Sequence, residues 1–249
     1  MVLCFYFESR LKKSILLITG WGSGTQLLDS LKLILQHRRH SVDLINIFNA
    51  LDPEVLQQKV ELAYPYDVIV GWSLGGQLAT LLVDQIERQY AEKKILITLA
   101  SNPCFVANEV WPTAMPQATF QAFKHAFQRD AITTLKRFGY MVCQGVDSSK
   151  TDFAILQSLI QAQPISLLEQ GLVLLEQLNV VDILKNYQGQ QYHILFEQDA
   201  LVSCKVVENI QQFNAKFLEV ELIQGSHGFP IFNFETVSHK ICQYLQKIE

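Results

Sequence analysis

Val68-Ile69-Val70-Gly71-Trp72-Ser73-Leu74-Gly75-Gly76 is the stretch on which the fold turns. Its first half is a run of branched apolar residues, the pattern of a strand buried on both faces. Its second half opens a helical pattern with Leu78, Leu81, Leu82 and Ile86 on the buried side. Between them, Gly71 to Gly75 satisfies G-x-S-x-G, so the predicted turn runs directly from strand to helix through a serine. Such a turn forces Ser73 into a strained backbone conformation. Side chains two residues before and after it would collide, which accounts for Gly71 and Gly75. Gly76 allows the helix to pack closely on the sheet. The Ser73 hydroxyl is then exposed at the carboxyl edge of the sheet, over a helix N-terminus whose dipole favours developing negative charge. Chance matches to this pattern are common, but the strand before and the helix after argue against one here.

Further strands are expected at Leu3–Phe7, Ser14–Thr19, Val42–Ile47, Asp67–Gly71, Ile95–Ala100, Tyr192–Glu197 and Leu218–Ile223. Helical patterns separate them. One starts at Asp52-Pro53, an acidic N-cap followed by proline in the first turn, and runs on through Val55, Leu56 and Val60. Strand–helix alternation of this kind predicts an α/β fold: a mostly parallel central sheet with helices on both faces. The alternation breaks between about Pro103 and Tyr187, where aromatic-rich helical patterns follow one another without a core-type strand. The expected division is an α/β-hydrolase core from residues 1–105 and 187–249 with an inserted helical cap, or lid, at 106–186. Two ordinary crossover helices with long loops are the plainer alternative.

A serine nucleophile needs a base and an acid. Of six histidines, His227 alone sits in a Gly-flanked loop directly after a strand, in Gln224-Gly225-Ser226-His227-Gly228-Phe229. Such a loop brings an imidazole over the serine. His37 and His40 read as a solvated helix end, His125 lies in the cap, His193 in a strand and His239 in the terminal helix. The acid is expected just past the preceding strand, where Glu197 and Asp199 are available. Asp199 fits the turn, whereas Glu197 is expected still to be strand. The order Ser73, Asp199, His227 is that of α/β hydrolases. For the oxyanion hole, the Leu74 amide follows the nucleophile, and Thr19-Gly20-Trp21-Gly22-Ser23-Gly24 offers the Trp21 amide. That loop lacks the spacing and the Lys-Ser/Thr of a phosphate-binding loop.

The 249 residues are 49% hydrophobic and 18% charged, a globular composition large enough for one domain with an insertion. A net charge of −4 gives no general attraction for nucleic acid or an anionic membrane. The five cysteines, Cys4, Cys104, Cys143, Cys204 and Cys242, are widely spaced and lack CxxC or Cys/His clustering. Free thiols in a reducing compartment are therefore expected, with no metal site and no cofactor. The N-terminus has no secretory pattern and no run spans a bilayer, so a cytoplasmic protein is expected; a monomer is expected as a separate matter.

Several motifs together resemble the pimeloyl-acyl-carrier-protein methyl ester esterases of biotin synthesis. They are Gly20-Trp21-Gly22, Gly71-Trp72-Ser73-Leu74-Gly75-Gly76, Asn102-Pro103-Cys104-Phe105, Glu109-Val110-Trp111-Pro112, Asp199-Ala200-Leu201-Val202 and Ser226-His227. The resemblance covers nearly the whole chain, and its Pro-Cys-Phe and Trp-Pro elements are more specific than a triad. It implies a serine carboxylesterase that removes the methyl group from pimeloyl-acyl carrier protein, with the acidic carrier as partner. Trp111, Phe123, Phe127 and Phe138 are candidates to line an acyl site, or else to fill the core of the cap. Arg137 and Lys150, with Lys136 and Arg129 nearby, are the cap's candidate docking cations. Two departures stand out: Thr19-Gly20 replaces the common His-Gly, and the rest of the cap is apolar or acidic. A general short-chain carboxylesterase, or a non-catalytic binding protein on this fold, are the alternative expectations.

Overall fold

The computed structural model describes residues 12–22 and 24–248; the strand expected at Leu3–Phe7, with Cys4, lies outside them, as does Ser23. Six strands form one sheet: β1 (Ser14–Ile18), β2 (Ser41–Ile45), β3 (Val68–Trp72), β4 (Ile95–Leu99), β5 (Gln191–Phe196) and β6 (Leu218–Ile223). Their order is β2-β1-β3-β4-β5-β6, and every pairing is parallel. All residues of β3 and β5 are buried, as branched apolar runs covered on both faces must be.

Helices connect the strands: α1 (Asp29–His37), α2 (Pro53–Ala63) and α3 (Leu74–Tyr90) in the first half, α9 (Val206–Gln211), α10 (Phe229–Phe232) and α11 (Phe234–Lys247) in the last quarter. They pack in groups, α1 with α11 and α2 with α3. The start of α2 follows from local chemistry. Asp52 Oδ1 accepts from the amides of Glu54 at 2.9 Å and Val55 at 3.3 Å, and Pro53 has no amide to leave unpaired. Along α3, Leu78, Leu82 and Ile86 are fully buried, and Leu81 is half-buried.

Five helices lie between β4 and β5: α4 (Gln117–Arg129), α5 (Ala131–Cys143), α6 (Ser149–Leu159), α7 (Ile165–Gln177) and α8 (Val181–Asn186). α5 packs on α4 and on α6, while α7 and α8 pack on α3. Among the described residues, no helix is long and apolar enough to cross a membrane.

Two sequence expectations need correction. Glu197 is not strand: β5 ends at Phe196, and Glu197 is an exposed turn residue whose amide donates to Ile223 O. His40 is not a solvated helix end. It is half-buried, its Nδ1 accepts from the Lys13 amide at 3.3 Å, and its Nε2 lies 3.5 Å from Cys242 Sγ.

Candidate active site

The parallel strand order brings the candidate residues to the same carboxyl edge of the sheet. β1 and β3 are parallel neighbours, so the loops after their carboxyl ends, Thr19–Gly24 and the turn at Ser73, emerge side by side. β5 and β6 are likewise neighbours, and Asp199 and His227 follow their carboxyl ends.

Ser73 has φ 56° and ψ −123°, a conformation that costs a non-glycine residue on the order of 1–3 kcal/mol and persists only when its surroundings impose it. Those surroundings are close. A Cβ on Gly71 would lie 2.0 Å from Gly75 O, and one on Gly75 would lie 2.4 Å from both Ile18 O and Thr19 O. Gly75 is therefore required by the end of β1 rather than by the turn itself. The Ser73 amide donates to Leu99 O at 2.8 Å, holding the turn on the end of β4. Leu74 is the first residue of α3, so its amide lacks an intrahelical acceptor. Gly20 lies against the turn: a Cβ there would be 3.0 Å from Ser73 Cβ.

Asp199 and His227 meet directly. The separation between His227 Nδ1 and Asp199 Oδ2 is 2.7 Å, with both side chains about 1% exposed. The other carboxylate oxygen accepts from the amides of Leu201 at 2.7 Å and Val202 at 2.9 Å, so the turn after β5 fixes the acid's orientation. With Nδ1 donating to the carboxylate, Nε2 is the acceptor nitrogen. It is buried and has no hydrogen-bond partner among the described residues. The loops that carry the two residues are tied together as well. Gln198 Oε1 accepts from the Gly225 amide at 2.6 Å, and the Gln198 amide donates to Gly225 O at 3.0 Å.

Trp21 is buried, with its side chain turned toward the inserted helices. Its indole Nε1 donates to Leu168 O at 2.8 Å, and its ring makes edge contacts with Phe123, Phe127 and Phe138. Beside it lies a cavity of about 180 Å³, lined by apolar side chains that include Trp21, Phe123, Phe138, Met141 and Leu201. Of the four aromatic residues expected to line an acyl site, Phe123 and Phe138 line this cavity. Phe127 and Trp111 do not: Phe127 packs on Trp21, and Trp111 is buried against Phe213 with its indole Nε1 donating to Asn102 Oδ1 at 2.7 Å. Lys136 and Arg137 on α5, and Lys150 on α6, are all exposed.

The other histidines stand apart from this group. His193 is buried in β5 with Nδ1 2.7 Å from Thr98 Oγ1, and burial lowers its pKa to about 4. His125 and His239 are exposed. Cys104, Cys143 and Cys242 are buried and Cys204 is half-buried; burial pushes the Cys143 thiol up to about 12.

Three contributors had no signal in the sequence. Trp72 Nε1 donates to His227 O at 3.0 Å, Gln198 bridges the acid and base loops, and Asn46 reaches Thr19. Each depends on a contact between residues far apart in the chain, and only Trp72 lies within a recognisable motif.

No family model matches the chain. It is 29% identical over 245 residues to a pimeloyl-acyl-carrier-protein methyl ester esterase of Vibrio vulnificus, covering 94% of both chains. A protein of the same name from Klebsiella pneumoniae subsp. pneumoniae is 30% identical over 205 residues, 78% of each chain. Among solved structures, an esterase from Exiguobacterium antarcticum superposes with a TM-score of 0.74 at 14% identity, covering 94% of this chain and 92% of its own. At that identity the likeness concerns the fold, which is that of the α/β hydrolases.

Proposed function

The chain belongs to the pimeloyl-acyl-carrier-protein methyl ester esterase family, and from that premise we propose that it hydrolyses the methyl ester of pimeloyl-acyl carrier protein. The products are methanol and pimeloyl-acyl carrier protein with its terminal carboxylate freed for biotin synthesis. The observation that carries the chemistry is the buried 2.7 Å contact between His227 Nδ1 and Asp199 Oδ2, which leaves Nε2 free to take a proton.

In the proposed mechanism, His227 Nε2 accepts the Ser73 proton as Ser73 Oγ attacks the ester carbonyl. The Trp21 and Leu74 amides hold the resulting oxyanion. Collapse expels methanol, which receives its proton from His227, and leaves the acyl group on Ser73. Water, giving its proton to His227, attacks the acyl-enzyme; Ser73 recovers a proton and the carboxylic acid departs. Asp199 keeps Nδ1 protonated throughout and stabilises the imidazolium. Water is the only co-reactant, so the scheme calls for no metal and no cofactor.

Residues 106–186 are read as a cap over the site. Support comes from the contacts of Trp21 with Phe123, Phe127 and Phe138, all from the inserted helices. The adjoining apolar cavity, with Phe138 in its wall, suits the methylene chain of the substrate. Lys136, Arg137 and Lys150 are the proposed contacts for the acidic carrier. The protein is expected to act as a cytoplasmic monomer.

The test compares methyl pimeloyl-acyl carrier protein with p-nitrophenyl esters, using wild type and Ser73→Ala. Ser73-dependent turnover that favours the carrier substrate is expected. Equal turnover of both substrates would favour a general carboxylesterase. Activity retained by folded Ser73→Ala would remove the serine mechanism.

A further inference from the structure

The loop that carries Trp21 is gripped from outside the sheet. Thr19, fully buried at the end of β1, donates its hydroxyl to Asn46 Oδ1 at 2.9 Å. The same oxygen accepts from the Ile47 amide at 2.9 Å, a donor that cannot be anything else. The Asn46 amide is thereby oriented with its nitrogen outward. That nitrogen, Nδ2, donates to Gln163 Oε1 at 2.7 Å. Gln163 belongs to residues 160–164, which join α6 to α7. It is half-buried between exposed neighbours, and its own Nε2 reaches back to Gln161 O at 3.2 Å and Ala162 O at 3.3 Å.

Gln163 also covers the far end of the loop. Gly24 has φ +78°, and a Cβ there would lie 2.5 Å from Gln163 Nε2. The middle of the loop is held by the next helix: Trp21 Nε1 donates to Leu168 O at 2.8 Å, and a Cβ on Gly171 would lie 2.3 Å from Trp21 Cδ1. One continuous segment, residues 163–171, thus touches the middle and end of the loop and holds its start through Asn46.

We infer that the Thr19–Asn46–Gln163 hydrogen-bond chain is a clasp that positions the oxyanion loop, with Asn46 and Gln163 as positioning residues. The inference rests on the esterase reading for its effect on catalysis. Donors aimed at an oxyanion act through preorganisation, so a loop free to shift lowers turnover while leaving ground-state binding of a small ester little changed. The clasp also couples the α6–α7 connection to the active site.

The experiment uses the full-length protein and four variants, assayed on a short p-nitrophenyl ester. Gln163→Leu keeps the shape and removes the acceptor. Gln163→Glu keeps the acceptor. Asn46→Asp alone leaves a carboxylate that Gln163 can meet with its amide nitrogen. Asn46→Asp combined with Gln163→Glu sets two carboxylates against each other. Gln163→Leu and the double variant are expected to lower kcat about three- to tenfold with KM little changed, and the two single acids to remain near wild type. Affinity for a trifluoromethyl ketone, which forms a tetrahedral oxyanion on the serine, should fall in parallel with kcat. Hydrogen exchange at residues 19–28 provides a reading without substrate, with faster exchange expected only where the clasp is broken. An unchanged kcat, an equal loss in Gln163→Glu, or unchanged exchange in Gln163→Leu would overturn the clasp. A wild type inactive on every ester but showing the exchange contrast would overturn the esterase reading and uphold the clasp as the device that holds this loop.

Discussion

The indole of Trp72, the residue before the candidate nucleophile, donates to the backbone carbonyl of His227, the candidate base, at 3.0 Å. The bond joins the end of β3 to the loop after β6 across strands β4 and β5. It is buried, and the two rings lie 5.6 Å apart between centroids. Trp72 therefore ties the backbone of the candidate base to the strand that carries the candidate nucleophile.

Trp72→Phe retains an aromatic ring and removes the donor, leaving a buried carbonyl unpaired at a cost of about 1–3 kcal/mol. A fall in melting temperature of several degrees is expected. A several-fold fall in kcat should accompany it on a small ester. Thermal unfolding and steady-state kinetics on the same sample check this; lowered stability with unchanged kcat would limit Trp72 to packing.

Asp199→Asn should reduce kcat on the order of 10⁴-fold, because the imidazole loses its anchor and can take the wrong tautomer. Glu197→Gln should change kcat by less than about twofold, since Glu197 is an exposed turn residue. Kinetics of the two variants side by side decide between the acids, and the reverse pattern would transfer the role to Glu197.

Arg137→Glu with Lys150→Glu should raise the apparent KM for methyl pimeloyl-acyl carrier protein by about tenfold or more, because both cations are exposed and would face an acidic partner. The wild-type carrier reaction should also weaken as salt screens the contact. Hydrolysis of a p-nitrophenyl ester by the double variant serves as the control. Equal losses on both substrates would indicate damage to the helices, and no loss would remove these residues from docking.

His193 gives a pH signature in stability. Its folded pKa of about 4 lies below the unfolded value of about 6.5, so between those values the unfolded chain binds a proton that the native chain does not. Its contribution is fully present above about pH 6.5 and is lost as pH falls toward 4, by up to about 3 kcal/mol. Urea unfolding of wild type and His193→Asn at pH 7 and pH 5 checks this. The variant should lose less stability between the two pH values, and identical losses would count against a neutral buried His193.

Elbow and strands were legible because their signals are local. Gly71-Trp72-Ser73-Leu74-Gly75 carries its steric demand within five residues, and a fully buried parallel strand needs only a short apolar run. All six expected strands within the described residues are present, with boundaries within two residues. Asp52-Pro53 likewise marks a helix start through bonds made within one turn. Glu197 was misplaced because the end of β5 depends on where its pairing with β6 runs out at Phe196 and Ile223, a relation between two strands. Trp111 and Phe127 pack away from the cavity wall, a distinction the sequence does not carry, because an aromatic residue looks the same there whether it lines a cavity or fills a core.

The sequence by itself determined the α/β architecture, the strained serine turn and the chain order of Ser73, Asp199 and His227, since each follows from residue type and short-range spacing. Tertiary structure alone decided which glycine meets which backbone, how the Asp199 carboxylate is divided between His227 and two turn amides, and how Gln163 comes to hold Asn46. The contacts of Asp199 with His227 and of Asn46 with Gln163 join residues 28 and 117 positions apart. Their partners are set by strand order and helix packing, which the whole core determines at once and no local pattern encodes.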